Sequence, residues 1–566
     1  MAYTGLVANL VVGINGLNGT ESRATFDPND LLLAQSITYE DGTLKKEGGA
    51  VKYNATKLGA AIEQGDLLQE DGTALLLESD TGAGTDTILN TEAVAAVDVD
   101  ILAGWDWFPT DGTQRMVILT DQGTLYKDTG DTTFSVELKT GLTVSDVVPM
   151  FVEGGAEVAA NVRKLFCFTG KNAVQVLDAD GATTGDLATP PSDWASANQP
   201  SWGFIHENRL LAGGNLNDPH RVYYSTTTDH EDFTSPGSGS FAIYPGEGQK
   251  LIAGTSFKGI AVLWKFPVGL YGIDTPGPDF IRDSNIQRLN ANIGTVSPRS
   301  YCHIQDDVVF IDRSGSFHLL STTEKFGNLG TGNLSDQRDM DPFMRDLINF
   351  SQLDNTKMVY YNAKRQVHAS MGQAGSSDND LRVIIDFNRR GIARFSTSVR
   401  DTANALWLRE DSTGVPRLTI GDETGFVWSL DQATRSIDGA GYEAKFQTPH
   451  DDFSYLDPTF ATMQKNLEFL EIVVESTGNH TLNVDVLLDG QVSQTVSFNL
   501  GSTGATLDSF VLGTSKLGEI EVLNRKRLLT GAGRRVSFVG KQSGVGENFS
   551  IANFIVGFKP GSTAIS

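Results

Sequence analysis

Short strands that flank turns centred on Gly or Asn recur between residues 105 and 432. The turn centres lie near positions 123, 170, 215, 315, 362 and 425, and the strand pair 260–264 and 270–273 fills the remaining interval. This spacing of roughly 45–60 residues is typical of β-propeller blades, each a four-stranded antiparallel sheet. The repeat therefore predicts an all-β fold with a β-propeller of six or seven blades over residues 105–440. An array of β-sandwiches is the alternative, because no Trp-Asp or doubled-Gly signature accompanies the repeat.

The segments on either side of the repeat have different patterns. Residues 1–60 are predicted to form an N-terminal arm with a first hairpin, whose Asp41-Gly42 turn joins strand 37–39 to strand 44–49. Residues 61–104 are predicted to be an acidic insertion, because the stretch 58–114 contains twelve Asp or Glu and no Lys or Arg. This insertion is either a surface loop or a wall that faces DNA or a basic partner. Residues 441–566 contain short strands joined by tight turns, which predict a C-terminal β-sandwich.

One helix is predicted over residues 341–350. Asp341 suits its N-cap and Pro342 its first position. Phe343, Leu347 and Phe350 then lie on one face.

Composition narrows the compartment and the class of partner. Lys plus Arg is 44 and Asp plus Glu is 70, so the net charge is 44 − 70 = −26. A chain this acidic does not wrap DNA by releasing counterions, although it can surround DNA without gripping it. Cys167 and Cys302 lie in apolar runs and are predicted to be core residues, which fits folding in a reducing cytoplasm. The sequence contains no run of about 18 apolar residues, so we predict no membrane-spanning helix.

The sequence carries no complete catalytic or metal-binding motif. It has no nucleophile elbow, phosphate-binding loop or His-Glu-x-x-His pattern. Asp178, Asp180 and Asp186 resemble half of a calcium loop, but the terminal Glu is missing and a plain turn is expected. We therefore expect no enzyme activity, no metal and no cofactor.

One basic cluster reverses the local sign of the charge. Residues 522–541 contain six Lys or Arg and no Asp or Glu. We predict that this cluster docks an acidic neighbour, such as the 58–114 stretch of an adjacent copy. A solvated hairpin with the loop 528–533 is the alternative. The candidate docking residues are Arg525, Lys526, Arg527, Arg534 and Arg535.

Several segments together resemble one family. They are the opening stretch 26–49, with its Gly-Thr-Leu-Lys-Lys-Glu-Gly-Gly hairpin; the stretch Asn208 to Gly214 followed by Arg221 to Ser225 and Asp232-Phe233; the stretch 334–388; and the final strand Phe554 to Pro560. The pattern resembles the nozzle, or tail tubular, and packaged-DNA stabilisation proteins of short-tailed bacteriophages. We expect the acidic insertion and the C-terminal sandwich to be particular to this chain.

The resemblance implies a structural virion protein and not an enzyme. Members of that family form a homo-oligomeric ring, commonly of six subunits, below the phage head. The ring retains the packaged DNA and then passes it without sequence-specific binding. The implied partners are head-to-tail adaptor proteins and tail fibre or spike proteins, and the implied location is the virion tail, assembled in the host cytoplasm.

A carbohydrate-binding or glycan-hydrolysing propeller is the rival prediction. It requires an acidic, aromatic-lined pocket on the propeller. Its possible lining residues are Trp105, Trp107, Trp202 and Trp264, for which core packing is the simpler role.

Overall fold

In the part of the chain that the structure describes, the regular elements are nearly all β-strands and helices are few. The computed structural model describes residues 6–12, 15–19, 27–40, 42–58, 98–128, 130, 132–156, 162–178, 184–274, 285–321, 334–388, 393–501 and 522–563. Residues 59–97 of the acidic stretch lie outside this set, as do residues 179–183 of the partial calcium loop.

Five strands precede the propeller. They are β1 (Leu6–Leu10), β2 (Leu33–Gln35), β3 (Ile37–Glu40), β4 (Thr43–Lys46) and β5 (Gly49–Lys52). The predicted hairpin is confirmed, because Glu40 pairs with Thr43 across the Asp41-Gly42 turn.

Six blades of four strands and one three-stranded sheet, here called the short sheet, follow one another in the described residues, and one of the blades is the first part of a nine-stranded sheet. Blade 1 contains β6 (Ile101–Trp107), β7 (Arg115–Thr120), β8 (Leu125–Lys127) and β9 (Val136–Lys139). Blade 2 contains β10 (Met150–Ala156), β11 (Val162–Phe168), β12 (Gln175–Leu177) and β13 (Thr184–Asp186). Blade 3 contains β14 (Trp202–His206), β15 (Arg209–Gly213), β16 (Arg221–Tyr224) and β17 (Gly239–Ala242). Blade 4 contains β18 (Lys250–Phe257), β19 (Ile260–Phe266), β20 (Leu270–Asp274) and β21 (Asn285–Asn290).

The remaining strands complete the ring and continue beyond it. The short sheet contains β22 (Tyr301–His303), β23 (Val308–Ile311) and β24 (Phe317–Leu319). Blade 5 contains β25 (Lys357–Tyr361), β26 (Gln366–Met371), β27 (Leu381–Asp386) and β28 (Arg394–Ser398). Blade 6 contains β29 (Ala405–Glu410), β30 (Pro416–Gly421), β31 (Val427–Gln432) and the earlier strand β5. Eight further strands follow: β32 (Ala444–Gln447), β33 (Met463–Glu475), β34 (Thr481–Leu488), β35 (Gln491–Asn499), β36 (Val522–Leu528), β37 (Ala532–Gly533), β38 (Val536–Gln542) and β39 (Ser550–Thr563).

The propeller closes with a strand from the N-terminal side of the chain. The innermost strands of successive sheets are neighbours round the ring, and β29 of blade 6 returns to β6 of blade 1. The fourth strand of blade 6 is β5, which runs antiparallel to β31 with Val51 opposite Ser429. Closure removes exposed sheet edges at this seam and ties the two ends of the repeat together. The prediction of an all-β fold with a β-propeller is confirmed.

The predicted hairpins do not all occupy the same place in a blade. Most of them join the second and third strands, as at Gly123 and Gly425. The hairpin near Asn362 instead joins β25 to β26, the first and second strands of blade 5. Each turn is favoured by its own residues, so the sequence shows where a hairpin lies but not its position in the sheet.

Aspartates order the turns of several hairpins. Oδ1 of Asp422 accepts the N–H groups of Thr424 and Phe426 at 2.9 and 2.8 Å. Asp312 and Asp411 make the same pair of bonds to the residues two and four positions later. In all three turns a Gly with positive φ follows three residues after the Asp, where a side chain is disfavoured.

The predicted helix exists, but its start and end differ. Helix α1 spans Met340–Leu347, and Asp339 occupies its N-cap. Asp341 is not the cap; its carboxylate accepts a hydrogen bond from Oγ of Ser316 at 2.8 Å. Short 3-10 helices lie at Pro245–Glu247, Asp336–Arg338, Phe350–Asn355 and Pro458–Thr462.

The propeller continues directly into the C-terminal strands. Strand β28 of blade 5 is followed across one nine-stranded sheet by β2, β32, β38, β34 and β35. A second sheet contains β3, β4, β39, β33 and β36, with β1 and β37 at its sides. Phe446 of the first sheet packs against Phe549 and Phe554 of the second, with ring centroids 5.9 Å apart in both pairs. A separate C-terminal β-sandwich stays a prediction, because blade 5 and the N-terminal strands share this core.

Candidate functional site

The basic cluster borders the two C-terminal sheets. Strand β36 carries Arg525, Lys526 and Arg527 and pairs with β33, whereas β38 pairs with β32 and β34 in the other sheet. The alternative of a single solvated hairpin is therefore wrong, because the chain crosses from one sheet to the other between residues 528 and 536.

Three of the five candidate docking residues make side-chain contacts within the chain. Nε of Arg525 donates to the carbonyl oxygen of Asn499 at 3.1 Å, and Nε of Arg527 donates to that of Ser497 at 3.0 Å. Both carbonyls belong to β35, the outer strand of the nine-stranded sheet. Nζ of Lys526 lies 3.4 Å from the centre of the Phe469 ring. The arginines thus cover an edge that would otherwise offer free acceptors to another strand.

Arg534 and Arg535 are exposed beside Asp489. Their backbone N–H groups donate to Oδ1 of Asp489 at 3.0 and 2.9 Å. Arg534 and Arg535 are exposed, as are Lys526 and Arg527, whereas Arg525 is half-buried. Docking of an acidic neighbour stays a prediction.

A chain of cavities runs through the propeller between its innermost strands. The central cavity, of about 410 Å³, is lined from β6, β10, β22, β25 and β29. A cavity of about 350 Å³ adjoins it and shares Trp105, Phe151 and His303. A third cavity, of about 640 Å³, shares Pro298. We call the central one the axial cavity. Its size is within the range of small-molecule sites.

The axial cavity combines aromatic walls with few charged groups. Its lining includes Trp105, Trp407, Tyr301, Asp106 and Arg299. Three consecutive residues from each of β22, β25 and β29 line the cavity, so backbone as well as side chains forms its wall. This composition, largely apolar with convergent polar groups, is typical of ligand sites.

Asp106 carries the carboxylate of this cavity. Its Oδ2 accepts the backbone N–H of Glu410 at 2.8 Å and the side-chain amide of Gln114 at 2.8 Å. Burial raises the pKa of Asp106 to about 6, although these hydrogen bonds act in the opposite direction. The carboxylate is therefore charged at neutral pH and held in one orientation.

The histidine and the phenol of the short sheet are also fixed by neighbours. Nε2 of His303 lies 2.6 Å from Oγ1 of Thr255, and burial lowers the pKa of this histidine. The hydroxyl of Tyr301 donates to the carbonyl of Gly254 at 2.7 Å, and burial raises its pKa to about 12. Both groups are consequently neutral, and they line the cavity as hydrogen-bonding groups without a charge.

Of the four tryptophans predicted to line a pocket, only Trp105 does so in the described cavities. Its Nε1 donates to Glu153 at 2.8 Å. Trp107, Trp202 and Trp264 are fully buried core residues, which is the simpler role that was predicted for them. Sequence reasoning missed Trp407, because no local signal shows which strand becomes innermost.

Both cysteines are buried, as predicted. Cys167 lies in the core of blades 1 and 2, and burial raises its pKa to about 12. Cys302 also borders the axial cavity, and burial raises its pKa further. Among the described residues no three His, Cys, Asp or Glu side chains are grouped to hold a metal ion. No helix in the same residues is long and apolar enough to cross a membrane.

Comparison with known proteins gives structural neighbours but no family. No protein-family model and no curated protein matches the chain. Two solved structures of BBS1N in complex with ARL6DN, from crystals soaked with mercury and with lead, are 10% and 11% identical to it. Each alignment covers 60% of this chain and 94% of that chain, with TM-scores of 0.36 and 0.38. A likeness this low carries no information about function.

Proposed function

We propose that this chain is a structural protein of a bacteriophage tail. In this proposal identical subunits form a nozzle or hub ring that retains the packaged DNA, passes it during ejection and docks tail fibres. The proposal begins from the sequence resemblance to nozzle and packaged-DNA stabilisation proteins. It needs subunits that keep their shape under the pressure of a packed genome.

The observation that best supports the proposal is the continuity of the sheets. One sheet of nine strands runs from blade 5 through β2 into the C-terminal strands, so a force applied at one end reaches the other through backbone hydrogen bonds. Strand β5, from the N-terminal side, closes blade 6 and locks the ring of blades. A rigid unit of this kind suits a ring built by repeating one heterologous contact until it closes.

The net charge of −26 is compatible with a DNA conduit. An acidic lumen repels the phosphate backbone and lets the duplex slide, whereas a basic lumen would hold it.

Electron microscopy of the full-length protein, alone and mixed with its head-side adaptor, tests the ring. We expect closed rings with a central opening of roughly 20 Å or more, wide enough for B-form DNA. Native mass spectrometry should give a single multiple of the subunit mass. Solitary particles under both conditions would overturn the proposal.

A glycan-binding propeller is the second candidate function. The observation in its favour is the axial cavity, where the indole of Trp105 and the carboxylate of Asp106 lie on one wall. Binding to a glycan array, or release of reducing sugar from a glycan that binds, would support this candidate. A monomeric protein without affinity for any glycan would exclude both functions.

A further inference from the structure

The axial cavity contains a cation without a partner of opposite charge. Nη2 of Arg299 donates to the carbonyl oxygen of Leu406 at 2.7 Å. Its Nη1 is buried and has no hydrogen-bond acceptor among the described residues, and none of their carboxylates forms an ion pair with it. Burial lowers the pKa of Arg299 to about 10, and only Tyr301 acts against that effect. A buried guanidinium in this state is costly unless something supplies the missing acceptor.

A second donor in the same cavity lacks an acceptor. Nε1 of Trp407 is buried without a hydrogen-bond partner in the described part of the chain. The indole itself is fixed, because its ring lies flat against the backbone of Gly104, where a Cβ atom would come within 2.7 Å. Two residues that line the cavity therefore each carry a buried N–H donor without an acceptor, and no described carboxylate forms an ion pair with Arg299.

The other features of the cavity restrict what can accept these bonds. Trp105 offers an apolar face, and Asp106 offers a carboxylate that accepts hydrogen bonds from hydroxyl groups. A fatty acid would place hydrocarbon against the Asp106 carboxylate and leave the acceptor capacity not used by Gln114 and Glu410 without a donor. A phosphate group would carry about two negative charges into a cavity that already holds one. A sugar with a single carboxylate satisfies all three features.

We propose that the axial cavity binds a monosaccharide of the uronic-acid class, with its carboxylate on Arg299, its ring against Trp105 and a hydroxyl on Asp106. This inference rests on the second candidate function and names its ligand class. It is independent of ring assembly. The cavity volume of about 410 Å³ accommodates a single sugar residue better than an oligosaccharide.

Isothermal titration calorimetry of the full-length protein tests the inference, with glucuronate and glucose as the two probes. A hydrogen bond to a charged group contributes about 1.5–3 kcal/mol, so we expect glucuronate to bind at least about tenfold more tightly than glucose. Arg299→Met should remove this preference. Arg313→Met is the matched control, because Arg313 is an exposed arginine in a turn of the same short sheet, and it should bind as the wild type does.

The outcomes separate this inference from the functions proposed above. Equal affinity for both sugars would overturn the role of Arg299 while leaving a glycan site in place. No binding of either sugar would overturn the inference and the glycan candidate together, whatever microscopy shows of the ring. Retained preference in a folded Arg299→Met variant would also overturn it. If that variant does not fold by circular dichroism, the wild-type comparison of the two sugars decides alone.

Discussion

Replacing Arg382 with methionine should release the strand that closes the propeller. The Arg382 guanidinium donates from Nη1 to Glu47 at 2.8 Å and from Nη2 to both carboxylate oxygens of Asp401 at 3.1 and 3.0 Å. Arg400 contacts the same two carboxylates at 3.2 and 3.1 Å. All four side chains are less than a tenth exposed. Because Glu47 lies two residues before β5, this buried cluster fixes the fourth strand of blade 6 against blade 5.

The size of the effect follows from the charges that remain. In Arg382→Met two buried carboxylates share the single guanidinium of Arg400. Breaking a buried ion pair by removing one partner costs about 3–5 kcal/mol. Arg417→Met is the control, since the Arg417–Asp411 pair is solvent-accessible, with a third of the arginine side chain exposed. Exposed pairs contribute about 0–1 kcal/mol.

Hydrogen exchange measured by mass spectrometry can follow the opening of β5 itself. We expect the opening free energy of β5 to fall by about 3 kcal/mol or more in Arg382→Met and by less than about 1 kcal/mol in Arg417→Met. The double variant Glu47→Gln with Arg382→Met should recover part of the loss, because it buries one carboxylate fewer. A loss below about 1 kcal/mol in Arg382→Met, or equal losses in the two single variants, would refute the reasoning.

Three further outcomes are expected. Burial acts to raise the pKa of Glu47, but its two arginine partners outweigh burial and hold the pKa below its usual value. The stability that Glu47 contributes should therefore be present above about pH 4.3, its unfolded pKa, and should be lost as the pH falls through the folded pKa. Hydrogen exchange of β5 that is unchanged down to pH 3 would contradict this. Asp422→Ala should lower the unfolding free energy by about 1–3 kcal/mol, because two backbone N–H groups lose their acceptor; urea unfolding measures it, with Asp438→Ala as an exposed control. The double variant Arg525→Ala with Arg527→Ala should lower the unfolding free energy by about 1 kcal/mol or less but should expose the edge of β35. We expect light scattering to show concentration-dependent association of this variant. A purely monomeric double variant would contradict the protection of this edge by the arginines.

The fold was predictable where local chemistry repeats. A Gly or Asn turn between two apolar runs specifies a hairpin wherever it stands, and its recurrence at blade length indicated the propeller. Turn chemistry of this kind also predicted the hairpin at Asp41-Gly42. The preferences of Asp and Pro for the start of a helix predicted the helix near residue 341. The prediction of the helix cap was wrong, because the Asp341 carboxylate accepts a hydrogen bond from Ser316, which lies 25 residues earlier beside the short sheet.

The candidate site was not predictable in the same way. Trp105 was one of four equivalent candidates in the sequence, and the structure places the other three in the core. Arg299 and Trp407 carried no signal at all, since a cavity residue differs from a core residue only by which strand is innermost.

The sequence by itself determined the all-β class, the hairpins and the acidic charge, because turn chemistry and composition act over a few residues or need no folding at all. Tertiary structure alone decided that β5 closes blade 6, that β36 and β38 enter different sheets, and that Arg299 has no counter-charge among the described residues. These features depend on pairings between segments tens to hundreds of residues apart. Such pairings are selected by the burial of a shared core and the matching of buried charges, which no local pattern encodes.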